Sequence, residues 1–491
     1  MSAPLAPGGP DAPRGIDSAL ETRETPTLSD TMADIQEKKD TERMEKIVSL
    51  CKRRGFIFQS SEIYGGLNGA WDYGPLGVEL KRNVKEYWWR CMTQLRDDIV
   101  GMDGAILMNR AVWRASGHEE TFSDPLIDCK TCKGRFRADQ IDSTPCPQKP
   151  SKTVATCHGE KTEPRPFNLM FKTYVGPVEE DGNVTYLRPE TAQAIFVQFR
   201  NVLEVSRKKL PFGIAQIGKA FRNEINPRNF TFRSREFEQM ELEFFVRPED
   251  GFRWLEEWKE LRIRWYEDIG IPRENIIVKT VSDEERAFYS KGTYDLEYRF
   301  PFGVQELEGV AYRTDYDLTQ HINASGKPLE YFDEETKAKF VPHVVEPSAG
   351  VDRTVLALLC QAYAEEEVTD EKGNKETRTV LRFHPRMAPI KVGVFPLVRN
   401  KPDIVAKARE VLELLRPHMR VFYDETGAIG RRYRRQDEAG TPFGITIDFE
   451  TLEGDKASGQ KDTVTVRDRD SMSQVRVPIA NLLAHLLPKL A

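Results

Sequence analysis

The chain reads as an α+β protein: a large region of helices and antiparallel strands, followed by a smaller α/β module. Three observations predict this. Phe212 to Val246 reads strand, polar loop, strand, which is a long antiparallel hairpin. Helical apolar spacing follows it, with Trp254, Trp258, Leu261 and Trp265 forming one stripe. From about Ile390 onward, strands and helices alternate as in a compact α/β unit. The 491 residues exceed what one hydrophobic core normally organises, so two or three domains are expected.

Taken in order, residues 1–40 are rich in Pro, Ala, Thr and acids and read as a disordered tail. They contain no apolar core of the signal-peptide kind. Thr41 to Arg54 reads as a helix with Met44, Ile47, Val48 and Cys51 on one stripe. A Gly-rich segment, Gly65 to Gly69, leads to a second helix, Val78 to Leu95. Residues 128–166 are poor in aliphatics and hold four of the seven cysteines, which marks an insertion. Thr191 to Val205 and Pro248 to Ile269 are helices, Gly303 to Leu318 is a strand region and Val351 to Ala364 a helix. Glu365 to Thr377 reads as a charged linker with a Lys-Gly-Asn turn. Beyond it, strands at Ile390 to Leu397, Arg420 to Asp424 and Phe443 to Phe449 accompany the helix Pro402 to Leu415 and a last helix from Ile479.

The formal charge of -6 carries no overall nucleic-acid signature, so RNA binding would need a local basic surface. No run of about eighteen apolar residues suggests a membrane span. Seven cysteines in so long a chain make no disulfide framework, and a reducing cytoplasm is expected.

The hairpin carries the chemistry. Phe237, Gln239, Glu241 and Glu243 alternate with Glu238, Met240, Leu242 and Phe244. Ionisable groups stand on both faces, among them Arg222, Glu224, Arg233, Arg235 and Glu236, which suits a polyanionic ligand better than plain packing. Gly213 to Lys219 has P-loop spacing, but Ala220 replaces the Ser or Thr that would ligate Mg²⁺, and strand follows instead of helix. Cys129 and Cys132 form a C-x-x-C pair with Cys146 and Cys157 downstream; the set reads either as a Zn²⁺ site or as free cysteines in a loop. Arg431 to Arg435, with Tyr433 among the arginines, reads either as a stacking surface for single-stranded RNA or as a solvated helix face.

Phe221-Arg222-Asn223-Glu224, a loop, then Arg233 and Phe237 resembles motif 2 of the class II aminoacyl-tRNA synthetases. Further blocks resemble the dimeric glycyl-tRNA synthetases: Ser60 to Lys81, Leu187 to Phe196, Glu346 to Arg353 and Gly430 to Asp448. The resemblance implies a class II antiparallel-sheet catalytic domain over 41–385 and an anticodon-binding domain over 390–491. It implies ATP, Mg²⁺, glycine and tRNA(Gly) as ligands, and a homodimer, although no motif 1 proline stands between Val78 and Gly117.

Residue by residue, the resemblance implies that Arg222 meets the α-phosphate of ATP and Arg353 the γ-phosphate. Asn223, Glu224, Phe232, Arg233, Ser234, Arg235, Glu236 and Phe237 complete the nucleotide site with Glu306, Leu307, Gly350, Val351 and Asp352. Glycine is expected among Arg137, Glu190, Phe237, Glu238, Gln239, Met240 and Glu241, together with Glu346, Pro347, Ser348, Ala349 and Gly350. Such a site needs positioning and charge stabilisation more than acid–base chemistry, because the substrate carboxylate is already a nucleophile. The scattered histidines agree, since none forms an evident nucleophile–base pair.

Overall fold

The computed structural model describes residues 28–369, 373 and 375–490. Its centre is a seven-stranded sheet in the spatial order Ile276–Thr280, Gly292–Phe300, Gly303–Thr314, His343–Gly350, Glu236–Val246, Phe212–Phe221 and Ile99–Gly101. Every pairing is antiparallel except that of the short edge strand Ile99–Gly101. The expected hairpin pairs along its full length, from Phe212 opposite Phe245 to Phe221 opposite Glu236.

Alternation decides what each strand face meets. Met240, Leu242, Phe244 and Val246 enter the main core with Leu255, Trp258, Ile263 and Trp265 of the helix Gly251–Asp268. The helices Pro75–Trp89 and Val351–Ala362 pack into the same core through Leu80, Val84, Trp88, Val355 and Leu359. Phe245 points the other way and packs with Phe196, Phe199 and Phe212 under the helix Ala192–Ser206. The sheet is therefore covered on both faces, and the odd positions Glu241 and Glu243 are buried instead of wet.

Residues 391–490 form a second, five-stranded sheet. Val421–Tyr423, Val392–Pro396 and Phe443–Ile447 run parallel, while Thr463–Asp468 and Gln474–Pro478 add antiparallel strands. Val394, Ile445 and Val464 build a separate core with Ile404 and Val411 of the helix Pro402–Leu415.

Several expectations change. The first helix runs Leu28–Arg54, so the tail expected through Asp40 is helical from Leu28, and residues 1–27 lie outside the described residues. The strand expected through Leu318 ends at Thr314, where a helix, Tyr316–Ser325, begins. The insertion holds its own small sheets, with Ser123–Asp128 between Arg135–Arg137 and Arg165–Asn168. The charged linker is a two-stranded hairpin, Tyr363–Thr369 against Lys375–Leu381. Its charges are partners across the strands, as in Glu366 opposite Arg378 at 3.1 Å, which is why a charge-rich stretch is ordered here. Arg378 is buried and also meets Asp437 at 2.9 Å, fixing the hairpin to the helix Ile429–Ala439 of the C-terminal unit. Among the described residues no helix is long and apolar enough to cross a membrane.

Candidate active site

The loop between the two central strands closes over a cavity of about 160 Å³. Its shape is held by backbone first. Arg222 N–H donates to Arg235 O, Asn223 N–H to Leu169 O, and Arg235 N–H to Gly69 O of the Gly-rich segment. The Arg235 guanidinium donates to Glu224 O and Asn68 O, so this side chain fastens the loop and is not free to meet a ligand. The remaining cations face the cavity. Arg222 lies between the rings of Phe122 and Phe237, 5.3 and 5.4 Å from their centroids, and donates to Pro189 O. Arg233 meets the Glu224 carboxylate at 3.2 Å. Arg353, in the first turn of the helix Val351–Ala362, stacks 4.4 Å over Phe232 and donates to Glu306 O. Stacking holds these guanidinium planes while leaving N–H groups for an incoming anion. Glu306 stands half-exposed on the rim, 3.4 Å from Arg353. Nearby Asp295 has its carboxyl pushed up to about 6, by burial and then by the Glu306 charge.

Deeper in the sheet the sign of the charge reverses. Glu241 is buried and accepts from Thr191 Oγ1 at 2.7 Å. Glu346 is bridged at 2.9 Å by Arg313, whose remaining N–H groups go to Asp317. Glu190 accepts from Gln193 and lies 3.3 Å from His118. Burial opposes ionisation of Glu190, but the charge and hydrogen bond of His118, followed by Arg313, hold its carboxyl below the usual range. Glu241 goes the other way: burial, then the Glu346 charge, pushes it up to about 8. Ser348 Oγ accepts from the Gln239 amide at 3.4 Å at the boundary between the two halves.

Residues 171–362 match the tRNA synthetase class II core domain (G, H, P, S and T), and 391–488 match an anticodon binding domain. A glycine–tRNA ligase of Treponema denticola is 53% identical over 445 residues, 90% of this chain and 96% of the relative. One of Thermobifida fusca is 52% identical, over 92% of this chain and 99% of the relative. One of Clostridium acetobutylicum is 53% identical, over 92% of this chain and the whole relative. The chain belongs to the class II glycine–tRNA ligases.

Not every residue that the family resemblance singled out is brought to the cavity as a free side chain. Arg137 is bridged at 2.7 Å to both Asp124 and Asp139 in the insertion, apart from the buried glutamates. Glu238 turns to Lys81 and Lys85, at 2.7 and 2.9 Å. Asp352 accepts from Tyr73, Lys81 and the Glu238 N–H, which ties the helix start to the hairpin. Glu236 pairs with Lys219, and Ser234 Oγ donates to Thr231 O. Met240, Leu307, Ala349 and Val351 send their side chains into the main core, and Pro347 is buried.

Arg313, His118 and Thr191 are the residues that sequence reasoning missed. Each lies far along the chain from the glutamate it serves, and no local spacing announces it. The four cysteines of the insertion lie two by two. Cys146 and Cys157 have their Sγ atoms 3.3 Å apart, while Cys129 Sγ and Cys132 Sγ each accept a backbone N–H. In the C-terminal cluster only Arg431 is exposed. Arg432 is buried on Gly427 O, Tyr433 packs on Phe395, Arg434 pairs with Glu376 and Arg435 with Asp424. Of the two readings of Arg431 to Arg435, a stacking surface or a solvated helix face, neither holds for the whole cluster, because helical periodicity spreads five consecutive residues around the axis.

Proposed function

We propose that this glycine–tRNA ligase activates glycine in the cavity between Arg222, Arg353 and the buried glutamates, then esterifies tRNA(Gly). The observation that carries the reading is a cavity lined by stacked arginines that reaches Gln239 and Ser348, with a cluster of buried carboxyl groups next to them in the sheet. ATP lies in the first, with Phe237 under the base, Glu224 accepting from the adenine amine and Arg233 on the outer phosphates. Arg222 draws charge from the α-phosphate, and Arg353 holds the γ-phosphate. Glycine lies in the second, its ammonium among Glu190, Glu241 and Glu346.

A glycine carboxylate oxygen attacks the α-phosphorus, forming the acyl–phosphate bond while the bond to the β-phosphate breaks. Pyrophosphate leaves with the electron pair. The nucleophile is already deprotonated, so no side chain carries a proton in this step. The terminal ribose hydroxyl of tRNA then attacks the carbonyl carbon, and AMP leaves. Glu306 is the residue that would hold Mg²⁺: its carboxylate is half-exposed on the rim, 3.4 Å from Arg353. When bound there, the cation would neutralise phosphate charge.

We further assign a structural Zn²⁺ to Cys129, Cys132, Cys146 and Cys157, supported by the sulfur contact of Cys146 with Cys157 and by N–H groups directed at the Cys129 and Cys132 sulfurs. Zinc content that is stoichiometric in the native protein and lost in Cys132→Ser checks this. We assign a homodimer in the cytoplasm, supported by the strong exposure of Ile63 and Tyr64 and by unpaired thiols. Sedimentation tests the dimer. The activity is tested by ATP–pyrophosphate exchange with glycine, alanine and serine in turn. Glycine alone is expected to support it, and exchange with another amino acid but not glycine would overturn the reading.

A further inference from the structure

Glu243 is fully buried, and neither of its carboxyl oxygens has a hydrogen-bond partner. A buried polar group left without a partner costs free energy, so such a group needs an explanation. Its surroundings supply one. The pairs Glu241 with Ser348 and Phe244 with Val345 set Glu243 across from Glu346 on the neighbouring strand. One oxygen each from Glu241, Glu243 and Glu346 lie within 4.8 Å of one another. No cation is left for the third carboxyl, because the Arg313 guanidinium is used by Asp317 and Glu346. On the other side of the hairpin Glu243 faces Ile214, and neighbouring Gln216 has its amide committed to Thr191 O and Gly104 N–H. The charged groups acting on Glu243 are thus Glu241 on its own strand, Glu346, Arg313 and Asp317.

We propose that Glu243 is a positioning residue: a neutral carboxylic acid that donates its O–H to the Glu241–Glu346 pair and holds these carboxylates at the spacing that an ammonium needs. Carboxyl groups this close repel one another when ionised, and a proton donor among them removes the repulsion without adding a competing cation. Burial, followed by the charge of Glu346, pushes the Glu243 carboxyl well above the usual carboxylate range, in keeping with this state. The inference rests on the glycine site described above.

The test compares Glu243→Leu, Glu243→Gln and Glu241→Gln in glycine-dependent pyrophosphate exchange, with KM for glycine and for ATP measured separately. Glu243→Leu removes the donor and is expected to raise KM for glycine about tenfold, leaving KM for ATP unchanged. Glu243→Gln keeps a donor of the same shape and is expected to stay within about threefold of the parent. If Glu243→Leu does not fold, Glu243→Asp takes its place; it keeps the acid but withdraws it by one methylene, and is expected to lose glycine affinity. An unchanged KM for glycine in Glu243→Leu or Glu243→Asp would overturn the proposal, as would a Gln variant impaired as badly as these. A metal bound stoichiometrically by the native protein and lost in Glu243→Gln would also overturn it, because the trio would then be a cation site. If Glu241→Gln too leaves glycine unaffected, it is the glycine site that fails; if Glu241→Gln is impaired and the Glu243 variants are not, only this inference does.

Discussion

The two halves of the proposed site, the arginine-lined cavity and the carboxyl cluster beside it, differ in how their charges are kept. In the outer half, Arg222 and Arg353 lie against aromatic rings and donate mostly to carbonyl oxygens. In the inner half Glu241, Glu243 and Glu346 are buried and Glu190 nearly so; Arg313 meets Glu346 and His118 meets Glu190, while Glu241 is held by Thr191 and Glu243 has no partner. An exposed cation is inexpensive to keep waiting, because water solvates it. A buried carboxylate is costly, so it is either matched, as Glu190 is by His118, or protonated. The comparison teaches that the outer half presents its charge openly, whereas in the inner half burial and neighbouring carboxyl groups favour the neutral form of Glu241 and Glu243.

The largest expected effect belongs to the outer half. Arg222→Ala and Arg353→Ala should each lose about 2–4 kcal/mol of transition-state stabilisation, seen as roughly 30- to 900-fold slower pyrophosphate exchange with an unchanged fold. A folded Arg222→Ala protein that exchanges normally would break the comparison at once. Glu241→Gln comes next, with KM for glycine raised by about 2 kcal/mol, roughly thirtyfold, and KM for ATP little changed. Equal effects on both constants would make Glu241 structural.

The stored proton sharpens the contrast further. Folded Glu241 keeps its proton up to about pH 8, whereas the ordinary value is 4.5. The stability contributed by the neutral form is complete below the unfolded value and is lost as pH rises through about 8. Glycine's ammonium requires the carboxylate, so binding below about pH 8 expels the proton. KM for glycine should therefore fall by up to about tenfold per pH unit as pH rises toward that value, and Glu241→Gln should flatten the profile. A flat profile in the native enzyme would remove the stored proton. The smallest effect is expected at Glu238, whose charge is already met by Lys81 and Lys85. Glu238→Gln should change KM for glycine by less than about 1 kcal/mol, and a larger change would put Glu238 in the glycine site after all.

The hairpin, the covering helices and the C-terminal α/β unit were legible in the sequence because apolar spacing of two or near 3.6 is a local property. The motif blocks likewise carried Arg222, Glu224, Phe237, Glu241, Glu346 and Arg353, since their order along the chain is itself the signal. By itself, the sequence determined the elements, the family and the residue types available for chemistry. Only the tertiary structure decided which charges are spent. Glu238 and Asp352 go to lysines, Arg235 to carbonyl oxygens and Arg432 to the interior of its module, while Arg313 and His118 arrive from distant segments to serve Glu346 and Glu190. The physical reason is that alternation along a strand fixes only the face on which a side chain lies. Whether that face meets water, a core or an opposite charge depends on the elements packed over it, and here a second helical layer buries Glu241 and Glu243.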